Sequence, residues 1–165
     1  MPMAKNLAAG AAAGAPQVQV YDLSADAIAQ AVAAGCAGSA DAHAAVVGAD
    51  VIVSSLPRSS DVLAVVQAMV NDSSHTFVKG ATWVDTTSGV PEVSRQISDL
   101  LSTVDVHYLD AGVAGGPRGA QAGNLAAMVG GDADVLAGVQ PTLEHIMGKV
   151  VHIGPVGAGH AVKSR

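Results

Sequence analysis

Apolar and polar positions alternate between two periods along this chain. Short apolar runs predict strands at QVQVYD (17–22), ADVIVSSLP (49–57), ATWVDTT (81–87), DVHYLDAGV (105–113) and KVVHIG (149–154), with NLAAMVGG (124–131) repeating the pattern after a glycine-rich turn. Between them, apolar residues three and four apart predict helices. One is SADAIAQAVAAG, with Ser24 as N-cap and Gly35 as its stop. Others run from Ser39 to Val47, from Ser59 to about Val70, from Pro91, and over 132–146. Strands alternating with helices of this length predict βαβ units, and hence an α/β fold: a doubly wound, mostly parallel, Rossmann-like sheet with helices on both faces. Gly and Pro punctuate element ends without forming a tract, so residues 1–165 read as one domain with no internal repeat.

Composition narrows the picture. Half of the 165 residues are hydrophobic but only 2% are aromatic, so the core must be packed from Ala and Val between close layers. A net charge of -6, with 8 Lys and Arg scattered singly, offers no stripe to neutralise phosphates; nucleic acid is disfavoured as a partner. No apolar run approaches the roughly 20 residues of a membrane helix, and MPMAKNLAAGAAAGA makes a poor export signal. The lone Cys36 excludes an internal disulfide, fits a reducing compartment, and reads as a small buried residue. The 6 histidines lie in different elements with no metal-binding spacing, so no metal site is expected. His160 reads as a solvent-facing helix position.

Candidate chemistry collects at strand ends, where open α/β sheets bind ligands. Asp22 ends the first strand, where such folds hold ribose hydroxyls; on its own, an Asp there is more commonly a turn former or helix cap. Ser55-Leu56-Pro57 and Asp85-Thr86-Thr87-Ser88 end the next two strands, with ordinary capping as the alternative. The segment from Asp110 to Gly131 holds seven glycines, which close backbone approach by a small anion would explain. VHIGPVGAGHAVK then sets Gly157, Gly159 and Lys163 in a G-x-G-x-x-x-K spacing, a turn opening a helix with the lysine one turn in.

These last two stretches, together with MPMAKNL at the start, resemble the β-hydroxyacid dehydrogenase family, most closely its 3-hydroxyisobutyrate dehydrogenase branch. Asp22, Leu56-Pro57, Asp85 to Ser88, D-x-x-V-x-G-G, G-N-L-x-x-M-V-G-G and the terminal lysine motif follow in the family's order. The resemblance implies NAD(P)-dependent oxidation of a 3-hydroxy acid, in valine degradation for that branch, with Lys163 as the catalytic acid/base. It also implies NAD rather than NADP, since a carboxylate at Asp22 repels a 2′-phosphate. Leu56, Pro57, Asp61 and Ser88 would contact cofactor, and Ala114, Gly115 and Gly116 a small carboxylic-acid substrate. Glyoxylate, tartronate semialdehyde or succinic semialdehyde reduction belongs to the same family, and a non-catalytic binding module is the rival reading. The implied compartment is the mitochondrial matrix for a eukaryotic valine-pathway enzyme and otherwise the cytoplasm.

The chain departs from the family pattern in places. Ala114 stands where a serine hydroxyl usually meets substrate, and Asp61 where an asparagine meets cofactor. The resemblance also places a first strand and a glycine-rich turn ahead of Met1. In the order 3-2-1-4-5-6 that strand lies in mid-sheet, so two strand edges are expected to lack their neighbour. Residues 1–165 thus read as a partial NAD(P)-binding domain, without the C-terminal all-helical domain that builds the family's homo-oligomers.

Overall fold

The computed structural model describes residues 1–11 and 17–163, with only the backbone of Lys163. The opening residues form helix α1 (Pro2–Gly10), with proline inside its first turn, where a missing N–H costs nothing. Strand β1 (Gln19–Val20) and strand β2 (Ala37–Gly38) then pair in parallel across helix α2 (Ala25–Val32). Ser24 caps α2 by accepting from the Ala27 amide, and Gly35 leaves the helix at φ 98°, as their residue types predict. β1 is shorter than the apolar run suggests, and β2 carried too few apolar residues to be read as a strand.

After helix α3 (Ala42–Val46) comes the main sheet. Its strands are β3 (Val51–Ser54), β4 (Thr82–Asp85), β5 (His107–Ala114), β6 (Leu125–Gly130) and β7 (Met147–Gly154), side by side in chain order. Helices α4 (Ser59–Asn71), α5 (Pro91–Ser102), α6 (Gly116–Ala122), α7 (Ala133–Leu143) and α8 (Ala158–Lys163) alternate with them. All pairings are parallel except β5 with β6. That reversal, with the short helix α6 inside it, is not legible in the apolar pattern. It is made by Gly115, Gly116 and Gly123, all at positive φ.

The β1–β2 pair forms a sheet of its own, so the order is broken between β1 and β3. This is where a 3-2-1-4-5-6 arrangement puts its first strand. Helix α1 ties the two parts together: Met3 and Leu7 pack on the main core, while Met1, Ala4 and Ala8 cover Val20, Ala31 and Cys36. In the main sheet alternate residues serve opposite faces. Ile52, Trp83 and Tyr108 join α4 and α5, whereas Val84 and Leu109 join α7. All four residues of β4 are buried, as two-sided cover requires. No helix among the described residues is long and apolar enough to cross a membrane.

At the amino ends of the strands, His75 packs edge-on between His43 and Phe77 and leaves its Nε2 buried without a hydrogen-bond partner. Burial first, and the His43 charge second, hold the His75 imidazole below its usual range, with Asp72 opposing them. A histidine so depressed contributes stability above its unfolded pKa and loses it as pH falls through the folded value. His75→Phe is therefore expected to raise stability by about 1 kcal/mol at pH 7.5, by removing the orphaned nitrogen. The gain should widen below the ordinary histidine pKa of about 6.5. Thermal melts of both proteins at pH 7.5 and pH 5 check this; equal melting points at pH 5 would refute it.

Candidate active site at the carboxyl ends of the strands

Ser54, Asp85 and Asp110 are register partners across β3, β4 and β5, so three polar residues cross the sheet in one row. Both carboxylates are fully buried, and an unpartnered buried carboxylate would be costly. Asp85 is satisfied from all sides. Its Oδ1 accepts from Ser54 Oγ at 2.9 Å and the Thr87 amide at 3.0 Å, and its Oδ2 from the Tyr108 hydroxyl at 3.0 Å. Trp83 Nε1 donates to Ser54 Oγ at 2.9 Å, and Thr86 Oγ1 to the Ser54 carbonyl at 2.7 Å. Burial, then the Asp85 charge, push the Tyr108 phenol far above its ordinary range, so it stays a donor.

Asp110 grips α8. Its Oδ1 accepts from the Gly157 amide at 2.7 Å and its Oδ2 from the His160 amide at 2.8 Å. Burial pushes the Asp110 carboxyl up, while those two amides and the neighbouring His160 pull it back. Gly159 lets the helix lie directly on the sheet, because a Cβ there would overlap the carbonyl oxygens of Asp110 and Met128. Gly130 is required in the same way: a Cβ would come within 2.6 Å of Asp110 Oδ1 and 2.7 Å of the Pro155 carbonyl. Close packing thus explains part of the glycine content attributed to anion binding. His160 corrects the sequence reading outright. It is wholly buried, with Nδ1 2.8 Å from Ser94 Oγ and Nε2 3.2 Å from the Asp85 carbonyl.

The remaining candidates lie around this edge. Asp22 is exposed just beyond β1, and its Oδ1 accepts from the Ser24 amide at 2.8 Å, so it does serve as a turn former. Leu56 is half-buried and its amide donates to Thr87 Oγ1 at 3.0 Å, which joins the loops after β3 and β4. Pro57 and Ser88 are exposed on those two loops. Asp61, in the first turn of α4, forms a two-pronged ion pair with Arg58 at 3.1 and 3.2 Å, which offsets its charge. Ala114, Gly115 and Gly116 are exposed where β5 turns into α6, the two glycines at φ 126° and 57°. Lys163 ends α8; its side chain lies outside the described residues. Sequence reasoning did not single out Tyr108, Ser94 or Trp83, because apolar periodicity assigns them to strand and helix interiors. The signal available for Asp110 was a charged residue in an otherwise apolar strand.

An open, mostly parallel α/β sheet with its polar groups gathered outside the carboxyl ends of the strands defines a dinucleotide-binding domain. Residues 1–154 match the family described as the NAD binding domain of 6-phosphogluconate dehydrogenase, and the chain belongs to that family. It is 36% identical over 146 residues to the NAD-dependent L-serine dehydrogenase of Pseudomonas aeruginosa, a match covering 88% of this chain and 49% of that protein. It is 32% identical over 163 residues to the 3-hydroxyisobutyrate dehydrogenase of the same organism, covering 98% and 53%. The solved structure of Mycobacterium tuberculosis 3-hydroxyisobutyrate dehydrogenase with L-serine superposes with a TM-score of 0.88 at 32% identity, covering 98% of this chain and 53% of that one. The chain thus spans about half the length of these relatives.

Proposed function

We propose that this chain is the cofactor-binding, lysine-bearing half of an NAD-dependent 3-hydroxy acid dehydrogenase. The first substrate to test is 3-hydroxyisobutyrate, oxidised to methylmalonate semialdehyde, with the reverse reduction at the same site. The observation that carries this reading is the docking of α8, which ends in Lys163, onto the buried Asp110 beside the carboxyl end of β4. L-serine is the second candidate, favoured by the serine dehydrogenase relative; it too carries a 3-hydroxyl and a carboxylate. The aldehyde-acid reductases of the family are further alternatives.

The residues present fit the ribose and nicotinamide ends of the cofactor. Asp22 is exposed beyond β1, with Oδ1 used in its own turn, and its charge favours NAD over NADP. Leu56, Pro57 and Ser88 line the loops after β3 and β4, and the Arg58–Asp61 pair presents no uncompensated charge there. When bound, the nicotinamide supplies the hydride acceptor. Lys163 takes the substrate hydroxyl proton at Nζ and returns it in reduction. Gly115 and Gly116 offer amides to the substrate carboxylate. Relatives that carry the helical domain assemble as homo-oligomers in this reading.

The Ala114 side chain cannot donate a hydrogen bond to the substrate. Ala114→Ser is therefore expected to raise kcat/KM about tenfold to a hundredfold, the worth of one donor to a charged group. Steady-state kinetics on the pair decides it; a decrease would mean that the carboxylate lies elsewhere. The proposal as a whole is tested by calorimetry with NAD(H) and NADP(H), on this chain and on one extended upstream through any in-frame glycine-rich strand. Binding of NAD(H) in preference to NADP(H) supports it. Binding of neither by the extended protein overturns it.

A further inference from the structure

The described part of helix α8 runs from Ala158 to Lys163. Asp110 fixes where it starts, through the Gly157 and His160 amides. Gly159 rests on the sheet backbone there. The second point of attachment is the His160 imidazole. Nδ1 meets Ser94 on α5 at 2.8 Å, and Nε2 meets the backbone carbonyl of Asp85 at the end of β4 at 3.2 Å. A carbonyl only accepts, so Nε2 carries the hydrogen. The Ser94 hydroxyl lies 3.2 Å from the Val90 carbonyl and 2.8 Å from Nδ1; with the hydrogen on Nε2, Nδ1 is an acceptor and takes the hydroxyl proton at the shorter distance. The ring thus has a fixed tautomer and a fixed plane.

The ring also touches the loop that carries Ser88. Gly89 is buried, and a Cβ at that position would overlap the His160 ring. His160 therefore sits where three parts meet: the loop after β4, helix α5, and the helix that ends in Lys163 one turn further on. Position 163 follows His160 at i+3, so the two share a helix face.

We propose that His160, acting with Asp110, is a positioning residue that sets the approach of Lys163 to the cofactor loop; this rests on the reading of Lys163 as the acid/base given above. His160 exchanges no proton with substrate. It makes the opening of α8 a rigid mount and couples its direction to the Ser88–Gly89 segment.

The test uses the full chain with NAD and 3-hydroxyisobutyrate, with wild type, His160→Ala, His160→Gln and Lys163→Ala compared. His160→Ala is expected to lower kcat by about tenfold to a hundredfold, the scale of a misplaced catalytic group, while KM for NAD changes by less than about threefold. His160→Gln, whose amide can still donate to the Asp85 carbonyl, is expected to recover most of the loss. Two spectroscopic readouts need no turnover. Long-range 1H–15N spectra should give His160 as the Nε2–H tautomer, and 13C-dimethylation should give Lys163 a resolved signal that His160→Ala merges with those of exposed lysines. Wild-type kcat in His160→Ala, or a Lys163 signal unmoved by that substitution, overturns the proposal. The Nδ1–H tautomer in wild type overturns it as well, independently of how the variants fold. Full turnover in Lys163→Ala overturns instead the acid/base reading beneath it.

Discussion

Replacing Lys163 with alanine is expected to cut turnover of a 3-hydroxy acid by at least about a hundredfold, the usual contribution of a positioned general acid/base. NAD affinity, measured by calorimetry, should stay within about twofold, because a group that acts on the reacting hydroxyl contributes little to cofactor binding. The reaction explains the asymmetry. Hydride leaves a carbon whose hydroxyl must lose its proton as the carbonyl forms, and an amine at the end of α8 can take that proton. Arginine would keep the positive charge but cannot give up its proton at working pH. Lys163→Arg should therefore fail as badly as alanine, and the low-pH limb of the kcat profile, which reports protonation of the base, should disappear in whatever activity remains. Undiminished turnover in both variants would remove Lys163 from its role and leave the domain a cofactor binder only.

The framework was legible because it is written in local pattern. Ser24 and Gly35 bracket α2 by capping chemistry, Pro91 opens α5, and the apolar runs of β3 to β5 and β7 mark strands, of which β4 and β5 are buried on both faces. What was not legible depends on residues far apart in sequence. The reversal between β5 and β6 turns on three glycines at positive φ, which in sequence look like any other glycines. β2 is a two-residue strand, defined by pairing with β1 and by nothing in its own composition. His160 looks solvent-facing because a polar side chain beside Gly159 and one turn before Lys163 is usually hydrated. Only the approach of Ser94, 66 positions away, and of Asp85, 75 away, makes it the centre of a buried network. At the candidate site the sequence supplied residue types in the right order. The structure supplied their partners, such as Arg58 beside Asp61 and Thr87 beneath the Leu56 amide.

Two glycine-to-alanine substitutions should move stability in opposite directions. Gly138 lies exposed in the middle of α7, at an ordinary helical φ, with nothing within 4 Å of where a Cβ would be. Alanine there restricts the unfolded chain and meets no obstacle, so Gly138→Ala should stabilise by about 0.5–1 kcal/mol. Gly159 is the opposite case. Its missing Cβ is the space taken by the Asp110 and Met128 carbonyl oxygens, which belong to paired strands and cannot move aside. Relief must come from α8 lifting away, which breaks the hydrogen bonds from the Gly157 and His160 amides to Asp110. Each bond to a charged group is worth about 1.5–3 kcal/mol, so Gly159→Ala should cost about 3–6 kcal/mol. That is a large part of the roughly 5–15 kcal/mol that holds a domain folded. At about 2–4 °C per kcal/mol for a chain of this size, the melting point should fall by about 6–24 °C. A loss of only a degree or two would mean that α8 docks without touching the sheet backbone, and the second glycine of the G-x-G-x-x-x-K motif would again need a ligand to explain it.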